Sequence, residues 1–173
     1  MTTITPDQAL FFRDFAVGRL RAEHPVTRSV IEAVPLDKGA FRPDDIGKSA
    51  VDLAWHIVSA EHRFLDAVVS GAFDFTNTGR PQDINTSGDV SEWYAKTFAE
   101  DIARVTSLGA DGLTRIVDFR GLFQLPAVVY LHTVQIHSIH HRGQLSMYLR
   151  PRGAKVPAIY GESYDSARAK ATV

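Results

Sequence analysis

Apolar residues recur along this chain at three- and four-residue intervals in four separate blocks. Each block begins with residues that cap helices and ends at residues that stop them, which predicts four helices. Thr5-Pro6-Asp7-Gln8 opens the first, with a threonine cap, proline at the first helical position, and glutamine where the reciprocal capping bond requires it. Leu10, Phe11, Val17 and Leu20 form its apolar stripe. Pro25 lacks a backbone donor and is expected to kink or break this rod before residues 26–34 continue it. Ser49, with Asp52 three residues on, opens the second block. Leu53, Ile57, Ala60, Phe64 and Val68 carry it to a stop at Gly71. Residues 72–88 are rich in Gly, Thr, Asn, Asp and Pro and are expected to be a long loop. Asp89-x-x-Glu92 is the expected start of the third helix, which holds Trp93, Tyr94, Phe98, Ile102 and Val105 before Gly109.

The next stretch, residues 110–125, is ambiguous, and its residues 115–119 fit either a short strand or an extended crossover. Leu125-Pro126 opens the fourth block, no further proline interrupts it before Pro151, and Gly153 completes the stop. After Gly161 the chain fits a short helix or a mobile tail. These elements predict an all-α protein, a four-helix bundle with a long connection before the last helix, folded as one domain over residues 1–173.

The tail of the fourth block changes the picture. Three of the seven histidines, His137, His140 and His141, fall within the string His137-Ser138-Ile139-His140-His141-Arg142-Gly143-Gln144. At about 100° per residue, His137 and His141 share one helix face, one turn apart. Two imidazoles in that relation are how H-E-x-x-H metalloproteases hold zinc, although Ser138 stands here where those enzymes carry the glutamate base. Val134, Leu145 and Tyr148 lie near the same stripe, so the pair is expected to face the bundle interior. Burying two imidazoles without a metal or polar partners is costly. The second helix offers a third ligand: His56 lies beside its core stripe, whereas His62 is about 120° further round and expected toward solvent. Metal ligation from two facing helices is normal bundle chemistry.

Composition narrows the chemistry. A formal net charge of −1 and a pI near 6.6 give no electrostatic case for nucleic-acid binding. Residues 1–8 lack the basic-then-apolar pattern of a signal peptide, and no apolar run approaches a membrane span of about 18 residues, so a cytoplasmic protein is expected. The absence of cysteine removes disulfides, thiolate ligands and a protein thiol nucleophile. The donors are then nitrogen and oxygen, which suit zinc, nickel or iron better than copper(I).

Several strings taken together resemble the DinB-like superfamily of metal-binding four-helix bundles, which includes S-transferases dependent on bacillithiol, mycothiol or glutathione. They are Phe41-Arg42-Pro43, Leu53-Ala54-Trp55-His56, His137-x-x-x-His141-Arg142-Gly143-Gln144, Tyr148-Leu149-Arg150 and the closing Val156-Pro157-Ala158-Ile159-Tyr160-Gly161. The resemblance runs over nearly the whole chain in the family's order. It implies that His56, His137 and His141 are the three metal ligands. A homodimer is implied as well, in keeping with the prevalence of two-fold pairs. Gly143, which permits close approach, and Trp55 and Trp93, which need cover, fit that expectation.

Five further residues are candidates around such a site. Asp52, one turn before His56, could orient an imidazole or simply favour the helix dipole. Arg63 could meet an anionic cosubstrate or pair with Asp66. Tyr130 could line the cavity or pack, Gln144 could bond near the site or cap a neighbour, and His140 is expected beside the ligands or at an interface. Two function classes follow. In the first, the metal keeps an exchangeable position for a small-molecule thiol that attacks an electrophile, with hydrolysis disfavoured by the missing base. In the second, the metal pins two helices of a non-catalytic stress-response or interaction protein.

Overall fold

The computed structural model describes residues 4–171. Helix α1 (Pro6–Glu32) begins as its sequence requires: the Thr5 hydroxyl accepts from the Gln8 N–H, and the Gln8 side chain accepts from the Thr5 N–H. It passes through Pro25 unbroken, because Thr27, Val30 and Ile31 are buried beyond it. That packing outweighs the roughly 3 kcal/mol that an interior proline costs. Phe11 is exposed rather than in the core, and Ala9, Ala16, Val17 and Leu20 make the buried stripe.

Helix α2 (Ala50–Ser70) starts at Ser49, whose hydroxyl accepts from the Asp52 N–H, and ends where Gly71 turns to φ 90°. Helix α3 (Ser87–Ser107) begins earlier than Asp89. Thr86 is its cap, and Asp89 is the third residue of the first turn, returning a bond to the Thr86 N–H. The ambiguous stretch resolves into a short helix α4 (Ala110–Thr114) and an antiparallel hairpin of β1 (Ile116–Phe119) and β2 (Phe123–Pro126). Pro126 therefore closes a strand instead of opening a helix. A residue before proline is pushed toward extended backbone, so Leu125 belongs to β2. A 3₁₀ turn, Ala127–Val129, then leads into α5 (Tyr130–Leu149), which stops through the turn Arg150–Arg152 and Gly153 at φ 76°. A last helix, α6 (Tyr164–Ala171), takes up the tail.

Helices α1, α2, α3 and α5 form the bundle. Helix α2 packs against α3 and α5, and α1 packs against the same two, so α1 faces α2 across one diagonal. Leu20, Ile31, Ile57, Leu65, Leu131 and Leu145 fill the interior. On α5 the inward positions are 131, 134, 138, 142, 145 and 149, and the middle two are Ser138 and Arg142. This polar interruption of a core stripe is what places the chemistry. Among the described residues, no helix is long and apolar enough to cross a membrane.

Candidate metal centre

Because α2 and α5 are neighbours, the one histidine at the edge of the α2 core stripe meets the pair on α5. His56, His137 and His141 each offer a ring nitrogen, and these atoms lie within 4.8 Å of one another. The Nε2 atoms of His56 and His141 are 3.2 Å apart. A tetrahedral ion with metal–nitrogen bonds of about 2.0–2.1 Å needs its nitrogens about 3.4 Å apart, so the spacing fits a shared cation. Burial pushes the His56 and His137 imidazoles down to about 4, with smaller contributions from neighbouring basic groups that would repel a second charge, His141 first. His141 is lowered too, chiefly by burial. All three are thus neutral at physiological pH, the form that binds metal.

Two further observations point the same way. The Nδ1–H of His141 donates to the Gln144 side-chain oxygen at 2.7 Å, which fixes the ring and leaves Nε2 as a lone-pair donor. The Nδ1 of His137 is buried without a hydrogen-bond partner, an unmet polar atom on a ring of the trio. Among the described residues this trio is the one His, Cys, Asp or Glu group with metal-binding spacing.

The orientation of α5 is held from below by a polar network that sequence reasoning did not anticipate. Ser138 donates to the buried Glu61 carboxylate at 2.7 Å, and Tyr94 donates to its other oxygen at 2.7 Å. Burial pushes Glu61 up to about 7, against the pull of those two bonds. One turn on, Arg142 is only 1% exposed and pairs with Glu23 at 2.7 Å, with Thr27 at 3.1 Å and with the Tyr160 hydroxyl at 2.6 Å. Serine and arginine at core positions were the available signal, since buried polar groups require partners. Together they tie α5 to α2 and α1 and so set the rotation that presents His137 and His141.

A cavity of about 680 Å³ opens over His56 and His137, walled by Trp55, Phe64, Phe75 and Phe119 and by several cations. A second hollow of about 520 Å³ reaches His141 and Gln144 from the other side. Asp52 lines the first cavity but bonds Ser49 and Arg80, not an imidazole. Arg63 lines it too, and does not pair with Asp66; its Nε donates to the Asp74 main-chain oxygen at 3.0 Å, while Asp66 is taken by Arg104. Tyr130 packs: it is buried and its hydroxyl donates to Val117 O at 2.9 Å, anchoring the hairpin. His140 is exposed, with its ring centroid 4.8 Å from that of His141. His62 is half-buried and holds Asp101 at 2.7 Å, while His132 is exposed and His24 stacks on Phe98.

Within the single chain the two tryptophans cover each other. Trp55 and Trp93 meet edge-on at 4.7 Å, and Trp55 donates to Gly79 O, so neither needs a second copy for cover. Gly143 is exposed, with no atom within 4 Å of where a Cβ would stand.

Comparison with known proteins agrees with this architecture. A sequence model of the DinB family matches residues 17–171. The chain is 28% identical over 141 residues to an uncharacterised Bacillus subtilis protein, YjoA, spanning 79% of this chain and 88% of that one. The crystal structure of that DinB-like protein superposes with a TM-score of 0.70 at 22% identity, covering 85% of this chain and 99% of the other. A DinB-like protein from Bacillus cereus superposes with a TM-score of 0.70 at 22% identity, covering 92% of this chain and all of its own.

Proposed function

The chain belongs to the DinB family, and from its three-histidine site we propose a metal-dependent enzyme that transfers a low-molecular-weight thiol to an electrophile. The observation that carries this reading is the open trio: among the described residues no fourth His, Cys, Asp or Glu joins the three imidazoles, and His56 and His137 border the first cavity while His141 borders the second hollow. Three protein ligands with an exchangeable position is the catalytic arrangement for zinc, whereas structural sites are closed. A divalent metal held there, zinc or nickel with iron as a further fit, would lower the pKa of a coordinated thiol or water and so supply a nucleophile at neutral pH. His56, His137 and His141 would hold the ion, and the Gln144 bond favours the His141 tautomer that binds it. Phe64, Phe75, Phe119 and Trp55 wall the cavity and would shield one side of a bound nucleophile from water.

Thiol transfer is favoured over hydrolysis by what surrounds the histidines. Among the described residues Asp52 is the one carboxylate lining the cavity and is held by Ser49 and Arg80, while the buried Glu61 is engaged by Tyr94 and Ser138 and lines no part of it, so neither is placed as a free base for water. With no cysteine in the chain, the sulfur arrives on the cosubstrate. The test is a screen of zinc- and nickel-loaded protein with small thiols and a chromogenic electrophile such as chlorodinitrobenzene. Turnover that needs both metal and thiol, and that is lost in His137→Ala, supports the proposal. Full metal loading with no thiol-dependent turnover would favour the alternative, a metal-stabilised bundle with a binding role.

A further inference from the structure

The charge around the cavity exceeds anything the three imidazoles require. The chain as a whole has a formal net charge of −1. Yet Arg42, Lys48, Arg63, Arg80 and Arg120 all line this cavity, and Asp52 is the one acid among its lining residues. Asp52 serves two of the five, Arg80 at 3.0 Å and Arg42 at 3.9 Å. Lys48, Arg63 and Arg120 have no side-chain ion pair within salt-bridge distance among the described residues. Arg63 feels Asp74 from outside the cavity wall, and it also feels the repulsion of Arg120. Both guanidinium groups sit over the same Phe75 ring, at 5.8 Å and 4.0 Å from its centroid. Arg63 is half-buried while Lys48 and Arg120 are exposed at the cavity rim, and like charges gathered beside an aromatic wall attract an anion.

Arg120 adds a second, independent observation. Its N-terminal neighbour Phe119 and Leu122 close the hairpin turn by a 2.9 Å main-chain bond, with Arg120 and Gly121 in the middle at φ 55° and 70°. Turns of that kind favour asparagine, aspartate or glycine, because other residues pay a steric cost at positive φ. Arginine is the poorer choice for the backbone here, and its side chain is the group that reaches over Phe75 at the cavity wall.

We propose that the cavity binds a small molecule carrying one or more carboxylates, with Lys48, Arg63 and Arg120 as the anion clamp and Phe75 and Phe119 as the apolar wall. Where the reacting end goes, toward His56 and His137, rests on the thiol-transfer reading above; the anion clamp does not. About 680 Å³ is ample for such a ligand. The carboxylate belongs either to the thiol or to the electrophile.

Calorimetric titration of succinate into metal-free protein tests the clamp with no ion present to bind the carboxylates. Saturable binding is expected, weakened about tenfold in Lys48→Gln and again in Arg120→Asn, and weakened by added salt. Asparagine tolerates positive φ, so Arg120→Asn keeps the turn. Lys96→Gln, which removes an equal charge from an exposed position on α3 outside the cavity, is expected to bind as wild type. No binding, or equal binding by all four proteins, overturns the proposal.

Cobalt-loaded protein titrated with mercaptosuccinate or 2-mercaptoethanol then separates the two readings through the sulfur-to-cobalt absorption band. A tighter response to mercaptosuccinate that is lost in Lys48→Gln supports the clamp and puts the carboxylate on the thiol. Equal responses with intact succinate binding support it and put the carboxylate on the electrophile. Clamp-dependent succinate binding with no band from either thiol upholds the anion site and ends the thiol reading alone.

Discussion

Replacing Gln144 by leucine isolates the support given to one ligand from the ligand itself. Gln144 is exposed on the outer side of α5, and its side-chain oxygen accepts from His141 Nδ1 at 2.7 Å. Leucine keeps the helix propensity and the bulk but offers no acceptor. His141 is then free to rotate or to place its proton on Nε2, and metal binding must restore both orientation and tautomer. Losing such an outer hydrogen bond typically costs 10–100-fold in metal affinity, or about 1.4–2.8 kcal/mol. Because the side chain is exposed, the metal-free protein should keep its stability within about 0.5 kcal/mol. Competition against a chromogenic chelator at pH 7.5 measures the affinity, and thermal melting of the metal-free protein measures the rest. Gln144→Glu, with a stronger acceptor, should bind at least as tightly as wild type. Unchanged affinity in Gln144→Leu would refute the reasoning, as would a loss matched by an equal fall in metal-free stability.

Arg142→Ala should cost about 3–5 kcal/mol, because it leaves the buried Glu23 without its 2.7 Å partner; calorimetry should show a melting temperature lower by roughly 10 °C, and a drop under 2 °C would contradict this. Glu61 has a folded-state pKa raised to about 7 from 4.5, so its contribution is fully present below about pH 4.5 and is lost as pH rises through about 7. Denaturant unfolding of wild type should therefore lose more stability across that window than Glu61→Gln, the difference between the two curves cancelling the histidines that titrate in the opposite sense; parallel curves would overturn it. Chelation should lower the melting temperature but preserve the helical circular dichroism, since the leucine and isoleucine core does not depend on the ligands. Collapse of the helical signal on chelation would make the metal structural.

The parts of this protein legible in its sequence are those governed by short-range rules. Thr5 with Gln8, Ser49 with Asp52, and Gly71 each decide a helix end within a few residues, and the structure places those ends as expected. The two α5 histidines were legible because helical spacing alone puts them on one face. His56 followed because its own core stripe pointed it at the bundle. What escaped depended on distant partners. The start of α3 is the exception, because Thr86 and Asp89 form a capping box three residues apart, and the sequence reading starts the helix only at the later Asp89-x-x-Glu92 pattern. Leu125-Pro126 fits a helix start locally, and only pairing with β1 makes it a strand. Tyr130 and Arg63 found main-chain acceptors in the hairpin and in the loop after α2, contacts that no spacing encodes. The five cations of the cavity come from four separate segments, so their convergence exists only in the folded chain.

The most direct test of the metal centre is anomalous diffraction, at the zinc and nickel absorption edges, from crystals grown with each metal. The account predicts one ion bonded at about 2.0–2.2 Å to nitrogens of His56, His137 and His141, with at least one position held by water or another small ligand. An ion bound elsewhere, or a fourth protein ligand closing the site, would contradict it.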